Sequence, residues 1–235
     1  VKSCIIMTSD KCYENLELGR AFRESDPMGG NDPYSASKGA AELVTAAYRH
    51  SFFNNNKIGI ASVRAGNVIG GGDWSADRLI PDCFRSLYKN KIISIRNPNA
   101  IRPWQFILEP IFGMLSLSLH LRKNPTQFSE SWNFGPNSNK KITVEEIVKK
   151  IIQQWGKGKY KIKINRTNKQ YHESKILMLN STKAKKLLKC GNLYSNSESL
   201  FETIEWYRQY HGSKTDMSEF TIKQIQKYME KIILD

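Results

Sequence analysis

A short apolar run, a long helical stretch and a second short apolar run follow one another at the start of the chain. That succession limits the architecture more than any other feature of the sequence. Cys4-Ile5-Ile6-Met7 reads as a buried strand that delivers Thr8-Ser9-Asp10 at its carboxyl end. From Pro33 to Phe53, Ala36, Ala40, Leu43, Val44 and Ala47 recur at three- and four-residue steps, which predicts a helix with Pro33 in its first turn. Ile58 to Val63 reads as the next buried strand. Two strands joined through a helix form one crossover unit of a parallel sheet. Open α/β sheets place their sites at the carboxyl ends of such strands.

Further along, the pattern predicts helices at Leu79–Tyr88, Pro110–Leu121, Thr143–Trp155, Thr182–Leu188, Ser199–Tyr210 and Glu219–Ile233, with strands at Ile92–Ile95, Ser131–Phe134 and Tyr160–Ile164. Thr143-Val144-Glu145-Glu146 spells a capping box. The chain divides on this reading into 1–75 and 106–135, which build the parallel sheet, and 76–105 and 136–235, which build a second, smaller α/β domain. A doubly wound domain opens with a strand, a glycine-rich turn and a helix. Here the first strand already belongs to the middle of such a sheet, so the expectation is that the amino-terminal half of the domain lies outside these 235 residues.

The formal net charge of +14 raises the question of nucleic acid. The lysines are dispersed, however, and Lys157, Lys159, Lys161 and Lys163 alternate along an expected strand so as to share one solvated face. A basic soluble surface is the reading, with neither nucleic acid nor membrane as partner. Ile111 to Leu121, the longest apolar stretch, carries serines and is too short to span a bilayer. Cys4, Cys12, Cys83 and Cys190 lack the close pairing of a zinc or redox motif, so reduced thiols, no bound metal and a cytoplasmic setting are expected. Asn165-Arg166-Thr167 and Asn180-Ser181-Thr182 match the glycosylation pattern by composition alone in a chain rich in asparagine.

Tyr34 and Lys38 stand four residues apart, one turn along the same helix. A cation near a phenol favours the phenolate, and that is the form that takes up a proton. The same spacing is common on exposed helices, where it carries no chemistry. Ser9 and Asp10, at the end of the first strand, either hydrogen-bond and protonate a ligand or merely cap the next turn. Gly70-Gly71-Gly72 has neither the lysine of a phosphate loop nor the spacing of the dinucleotide fingerprint, and reads as a turn with Trp74 and Trp104 nearby.

Five segments taken in order resemble one family. They are Thr8-Ser9-Asp10-Lys11-Cys12-Tyr13, Asp26-Pro27-Met28-Gly29-Gly30, Asp32-Pro33-Tyr34-Ser35-Ala36-Ser37-Lys38, the stretch from Arg64 to Trp74, and that from Arg96 to Gln105. Their succession resembles the motifs of CDP-glucose 4,6-dehydratases, within the extended short-chain dehydrogenase/reductase group of NAD-dependent epimerases and dehydratases. The later half, through Trp132-Asn133-Phe134-Gly135-Pro136, resembles the family more loosely.

The resemblance implies an α/β fold: the carboxy-terminal part of a doubly wound, Rossmann-like parallel sheet plus a smaller substrate-binding domain. It also implies a hydro-lyase of deoxysugar and lipopolysaccharide O-antigen biosynthesis, with NAD as cofactor and a nucleotide sugar as substrate. Tyr34 would take the C4 hydroxyl proton, and Lys38 would assist it and hold the nicotinamide ribose. Ser9 would bond the C4 oxygen, and Asp10 would protonate the leaving C6 hydroxyl. Lys11 stands where dTDP-glucose enzymes carry a glutamate as C5 base, and burial could fit it for that task. Asn67, Arg102 and Asn133 would grip the substrate. Pro33–Phe53 is the expected surface of a homodimer, and the missing half, if a separate chain, would be a complementing partner without which the activity is lost. Two other readings stay open: a protein that binds a nucleotide sugar without turning it over, and a basic nucleic-acid module.

Overall fold

The computed structural model describes residues 1–15, 19–53, 57–136, 142–163, 177–212 and 216–234. In chain order the elements are β1 (Ser3–Met7), a 3₁₀ turn (Asp10–Cys12), α1 (Pro33–Phe52), β2 (Gly59–Ala65), β3 (Val68–Ile69), α2 (Leu79–Tyr88), β4 (Ile93–Ile95), β5 (Gln105–Phe106), α3 (Leu108–Lys123) and α4 (Pro125–Phe128). They continue as β6 (Ser131–Phe134), α5 (Val144–Trp155), β7 (Tyr160–Ile162), α6 (Thr182–Leu188), α7 (Asn196–Gly212) and α8 (Met217–Leu234). The expected helices and strands are present, most with ends moved by one to three residues. The expected strand end at Ile164 and the motif at Asn165 lie outside the described residues.

Two compact units emerge. The first comprises Val1–Val68, Pro103–Asn137 and Ile176–Asn192. Its three-stranded parallel sheet runs β1-β2-β6, with Met7 opposite Val63 and Ala65 opposite Phe134. Every residue of β2 is buried, as a central parallel strand between two helical layers requires. Val63, Leu117, Leu121, Trp132 and Phe134 form the heart of its core. Gly113 lets α3 come close to β6: a Cβ there would lie 2.8 Å from the Phe134 ring. The stretch expected as a continuous second domain, 136–235, is thus interrupted by Ile176–Asn192, where the Met178 carbonyl accepts from the Phe22 N–H and the Asn180 N–H donates to the Phe22 carbonyl, both at 2.8 Å.

The second unit comprises Ile69–Arg102, Ser138–Lys175 and Leu193–Asp235. A parallel pair, β4 with β7, runs from Ile93 opposite Tyr160 to Ile95 opposite Ile162. α5 opens on the expected capping box at Thr143 and Glu146 and closes on Gly156 in the left-handed region (φ 89°). Tyr207 of α7 stacks on Phe84 of α2 and donates to the Asp73 carbonyl at 2.6 Å. Gly71 passes directly under Trp206, so close that a Cβ would fall 2.0 Å from the indole.

The apolar stripe of α1 faces outward: Leu43 is 64% and Val44 56% exposed, while Ser35, Gly39, Glu42 and Thr45 are buried. Periodicity marks a stripe but not the side that turns inward, and here hydrogen-bond partners and a close backbone approach decide it. Lys157, Lys159, Lys161 and Lys163 are all exposed, as expected, although the strand itself is shorter than the run of lysines. Only Lys161 of the four lies within β7, and its neighbour Ile162 is exposed too.

Candidate active site

β1 ends by handing its ladder to Thr8, whose N–H still donates to the Val63 carbonyl at 2.8 Å. Ser9 then leaves the strand in extended conformation (φ −159°) and caps the 3₁₀ turn, its Oγ accepting from the Lys11 N–H at 3.2 Å. The same hydroxyl donates to Asp10 Oδ1 at 3.0 Å. Thr8, Ser9 and Asp10 are buried, whereas Lys11 is exposed, so the burial that would fit Lys11 as a base is absent. The loop after the turn folds back along it, with Gly29 N–H donating to the Cys12 carbonyl at 3.0 Å and Glu14 N–H to that of Pro27 at 3.0 Å.

α1 begins where that loop ends. Asp32 caps it, with Oδ1 accepting from the Ser35 N–H and Oδ2 from the Ser35 hydroxyl. Those bonds hold the Asp32 carboxyl below its usual range, and the nearby charge of Lys11 adds to the effect. Lys11 therefore stands by the first turn of α1. Lys38 Nζ lies 5.6 Å from the Tyr34 ring centroid, confirming the one-turn stacking of phenol and ammonium. Tyr34 is 53% exposed and Lys38 half-buried. The next residue, Gly39, rests against the Cys12 carbonyl, which a Cβ would meet at 3.4 Å. The helix that carries Tyr34 and Lys38 thus packs on the turn that carries Ser9, Asp10 and Lys11.

The other expected residues fare differently. Asn67 is half-buried in the loop after β2, where its carbonyl accepts from the Gln105 N–H at 3.0 Å. Arg102 is buried in the second unit and donates to the Ile101 carbonyl at 2.9 Å. Asn133 is a correction: it is 0% exposed, accepts from the Tyr13 hydroxyl at 2.7 Å and donates to the Phe22 carbonyl at 3.0 Å. It offers no accessible atom to a ligand and serves the interior instead. Of the tryptophans, Trp104 is buried, and the half-exposed Trp74 packs among Trp206, Tyr207 and Tyr210 of its own unit.

Beneath the turn lies a polar network that the residue pattern did not disclose. Glu42 Oε1 accepts from the Thr8 hydroxyl at 2.5 Å; Oε2 accepts from Ser62 Oγ at 2.6 Å and Arg64 Nη2 at 2.9 Å. Arg64 Nη1 donates to the Tyr13 hydroxyl at 2.7 Å, and its guanidinium lies 4.9 Å from that ring's centroid. Burial pushes the Glu42 carboxyl up, but Arg64, Ser62 and Thr8 outweigh it and leave the group below its ordinary value. Burial raises Tyr13, and brings the Cys12 thiol to about 12. The signal in the sequence was Glu42 itself, a charge one step from each of two apolar positions with no exposed purpose in view.

The sequence profile of the GDP-mannose 4,6 dehydratase family matches residues 2–203. The chain belongs to that family. It is 43% identical over 234 residues, 97% of its length, to the CDP-glucose 4,6-dehydratase of Salmonella typhimurium, and it spans 64% of that relative. Among solved structures it resembles the dTDP-glucose 4,6-dehydratase of Streptomyces venezuelae, determined with NAD bound (TM-score 0.74, 20% identity, 90% of this chain and 62% of that one). It also resembles the UDP-glucuronic acid 4-epimerase of Bacillus cereus, determined with UDP-glucuronic acid and NAD (TM-score 0.73, 18% identity, 88% and 62%). These two likenesses bear out the expected Rossmann-like α/β fold.

Among the described residues no cluster of histidine, cysteine or carboxylate could hold a metal, and no helix is long and apolar enough to cross a membrane. For a nicotinamide dinucleotide the residues present fit one end only. The Tyr34–Lys38 face is open enough to receive a ribose, while the 235 residues contain no Gly-x-Gly-x-x-Gly turn to cradle a pyrophosphate.

Proposed function

We propose that this chain carries the acid–base machinery of a nucleotide-sugar 4,6-dehydratase that converts CDP-glucose to CDP-4-keto-6-deoxyglucose. The observation that carries the reading is the packing of the Tyr34–Lys38 helix on the Ser9–Asp10–Lys11 turn at the carboxyl end of a parallel strand. The 43% identity to a CDP-glucose enzyme supports the choice of nucleotide.

NAD, held at its nicotinamide ribose by Tyr34 and Lys38, would supply reversible hydride acceptance, so that no outside oxidant would be consumed. Tyr34 takes the proton of the C4 hydroxyl, and Lys38, one turn along the helix, holds the ribose. Ser9 hydrogen-bonds the C4 oxygen. Once C4 is a ketone the C5 proton is acidic; Lys11, exposed at the rim of the turn and able to act as a base only where bound substrate shuts it from water, takes it while Asp10 gives a proton to the departing C6 hydroxyl. The C5–H and C6–O bonds break and one water leaves; return of the hydride to C6 would be matched by return of a proton to C5 from the base that took it, exchanged with solvent. Asn67, half-buried in the loop after β2 of the same unit, contacts the substrate.

The test is mass spectrometry of CDP-glucose incubated with NAD and the protein, both alone and mixed with the amino-terminal part of a complete CDP-glucose 4,6-dehydratase. Loss of one water in the mixture, with one deuterium taken from heavy water at C5, is the expected result. dTDP-glucose and GDP-mannose should be turned over at least about tenfold more slowly, the scale of one lost contact. Tyr34→Phe should cut turnover by a factor of about 10²–10⁴, the usual contribution of a positioned base. CDP-glucose that binds but stays intact in every arm would leave a binding protein rather than an enzyme.

A further inference from the structure

We infer that Glu42 is a positioning residue: through Thr8 it clamps the Ser9–Asp10–Lys11 turn to the helix that carries Tyr34 and Lys38. Its relevance to turnover rests on the dehydratase reading, whereas the clamp itself does not. Positions 34, 38 and 42 form one row along α1. Each step of four residues turns about 400°, so the row drifts about 40° at a time around a helix of 3.6 residues per turn. The drift is visible in the burial, with Tyr34 exposed, Lys38 half-buried and Glu42 enclosed. The row begins at the candidate base and ends in the core.

There Glu42 meets the other half of the site. The Thr8 hydroxyl reaches its Oε1 at 2.5 Å, and Thr8 is bonded in sequence to Ser9. On its other oxygen Arg64 and Ser62 anchor the carboxylate to β2, the strand that pairs with β1. Arg64 passes the tie onward through Tyr13 to Asn133 of β6. Thr8 and Tyr13, which flank the turn, therefore share one buried chain of hydrogen bonds with α1, β2 and β6. Such a chain is geometrically specific, because every donor and acceptor in it loses a partner if one member moves. A catalytic pair split between a strand end and a helix needs such a reference point, since the two elements meet nowhere in the covalent chain between residues 12 and 33.

Removing the Glu42 charge strands Arg64 and endangers the fold, so the decisive variants are at Thr8. Thr8→Val keeps the shape and deletes the hydroxyl; Thr8→Ser restores it. The first readout is hydrogen exchange of the Cys12 and Gly29 amides, which bond to the Ser9 and Cys12 carbonyls at 3.1 and 3.0 Å. We expect Thr8→Val to speed their exchange at least about tenfold and Thr8→Ser to bring it back, with amides of α3 unchanged. The second is turnover: kcat should fall about 10–100-fold with KM within about threefold, again recovered by serine, because misplaced reacting groups cost rate rather than binding. Exchange and kcat unchanged in Thr8→Val, or losses that serine does not recover, overturn the clamp. A wild-type protein without turnover whose turn still loosens in Thr8→Val would sink the dehydratase reading and leave the clamp standing.

Discussion

Gly66→Ala separates steric demand from conformational demand at the exit of β2. A Cβ on Gly66 would lie 2.3 Å from Pro103 Cγ, 3.3 Å from Pro103 Cβ and 3.0 Å from Asp10 Oδ2. Carbon atoms rest about 3.5–4.0 Å apart, so the ring must retreat by about 1.2 Å or more. Pro103 cannot rotate away, and Arg102, Trp104 and Gln105 on either side are buried. The movement must therefore pass to backbone or to Asp10. Overpacking of this kind costs about 1–3 kcal/mol. In a chain of this size each kcal/mol lowers the melting temperature by about 2–4 °C. A displacement near 1 Å at Asp10 should cost turnover about 100-fold. The assay pairs thermal unfolding with CDP-glucose turnover, and Gly212→Ala serves as the control, since nothing lies within 4 Å of its Cβ at the end of α7. A Gly66→Ala protein that melts within a degree of wild type and turns over normally would refute the close approach of Asp10 and Pro103 to Gly66.

Burial brings the thiol of Cys12 to about 12 and raises those of Cys83 and Cys190, while Cys4 is exposed. A disulfide reagent at pH 8 should therefore titrate one thiol in the folded protein and four in guanidinium. Glu198 is held near 2 by its bond to Lys231, with the Ser195 N–H adding to it. Lys231→Ala should let that carboxyl climb towards its ordinary value in an NMR titration, yet change stability by less than about 1 kcal/mol, because the pair is solvent-exposed.

The parallel sheet was legible because strand and helix periods differ, and Cys4–Met7, Pro33–Phe53 and Ile58–Val63 alternate cleanly between them. The capping box at Thr143 was legible because it is a local code. Tyr34 with Lys38 was legible as a spacing, and the Ser9–Asp10 turn as a strand end. The inward side of α1 was not, because Glu42 is buried by partners 20 or more residues away, Ser62 and Arg64 on β2 and Thr8 just after β1. A scale that counts side chains as apolar or polar assigns such a residue to solvent. Asn133 misled for the same reason: an asparagine at a strand end reads as a ligand contact until Tyr13 and Phe22 are found to occupy its amide. The short β5 and the return of 176–192 to the sheet unit depend on nonlocal pairing that no window of the sequence contains.

The buried pair also fixes how the fold should answer to acid. Glu42 and Arg64 are both within 1% of complete enclosure, and the carboxyl's net displacement is downward. An unfolded glutamate titrates near about 4.3. Because the folded value lies lower, the contribution of Glu42 to stability is complete above that pH and fades as the pH falls through the folded value. Glu42→Gln imitates the protonated form at every pH. At neutrality it strands a buried guanidinium and should cost about 3–5 kcal/mol. As the pH drops the wild type loses what the variant never had, so the stability gap between the two, measured by urea unfolding from pH 7 down to pH 3, should narrow. A gap that stays constant or widens would mean that Glu42 is not held as a carboxylate by Arg64. The clamp on the Ser9–Asp10 turn would then need a different anchor.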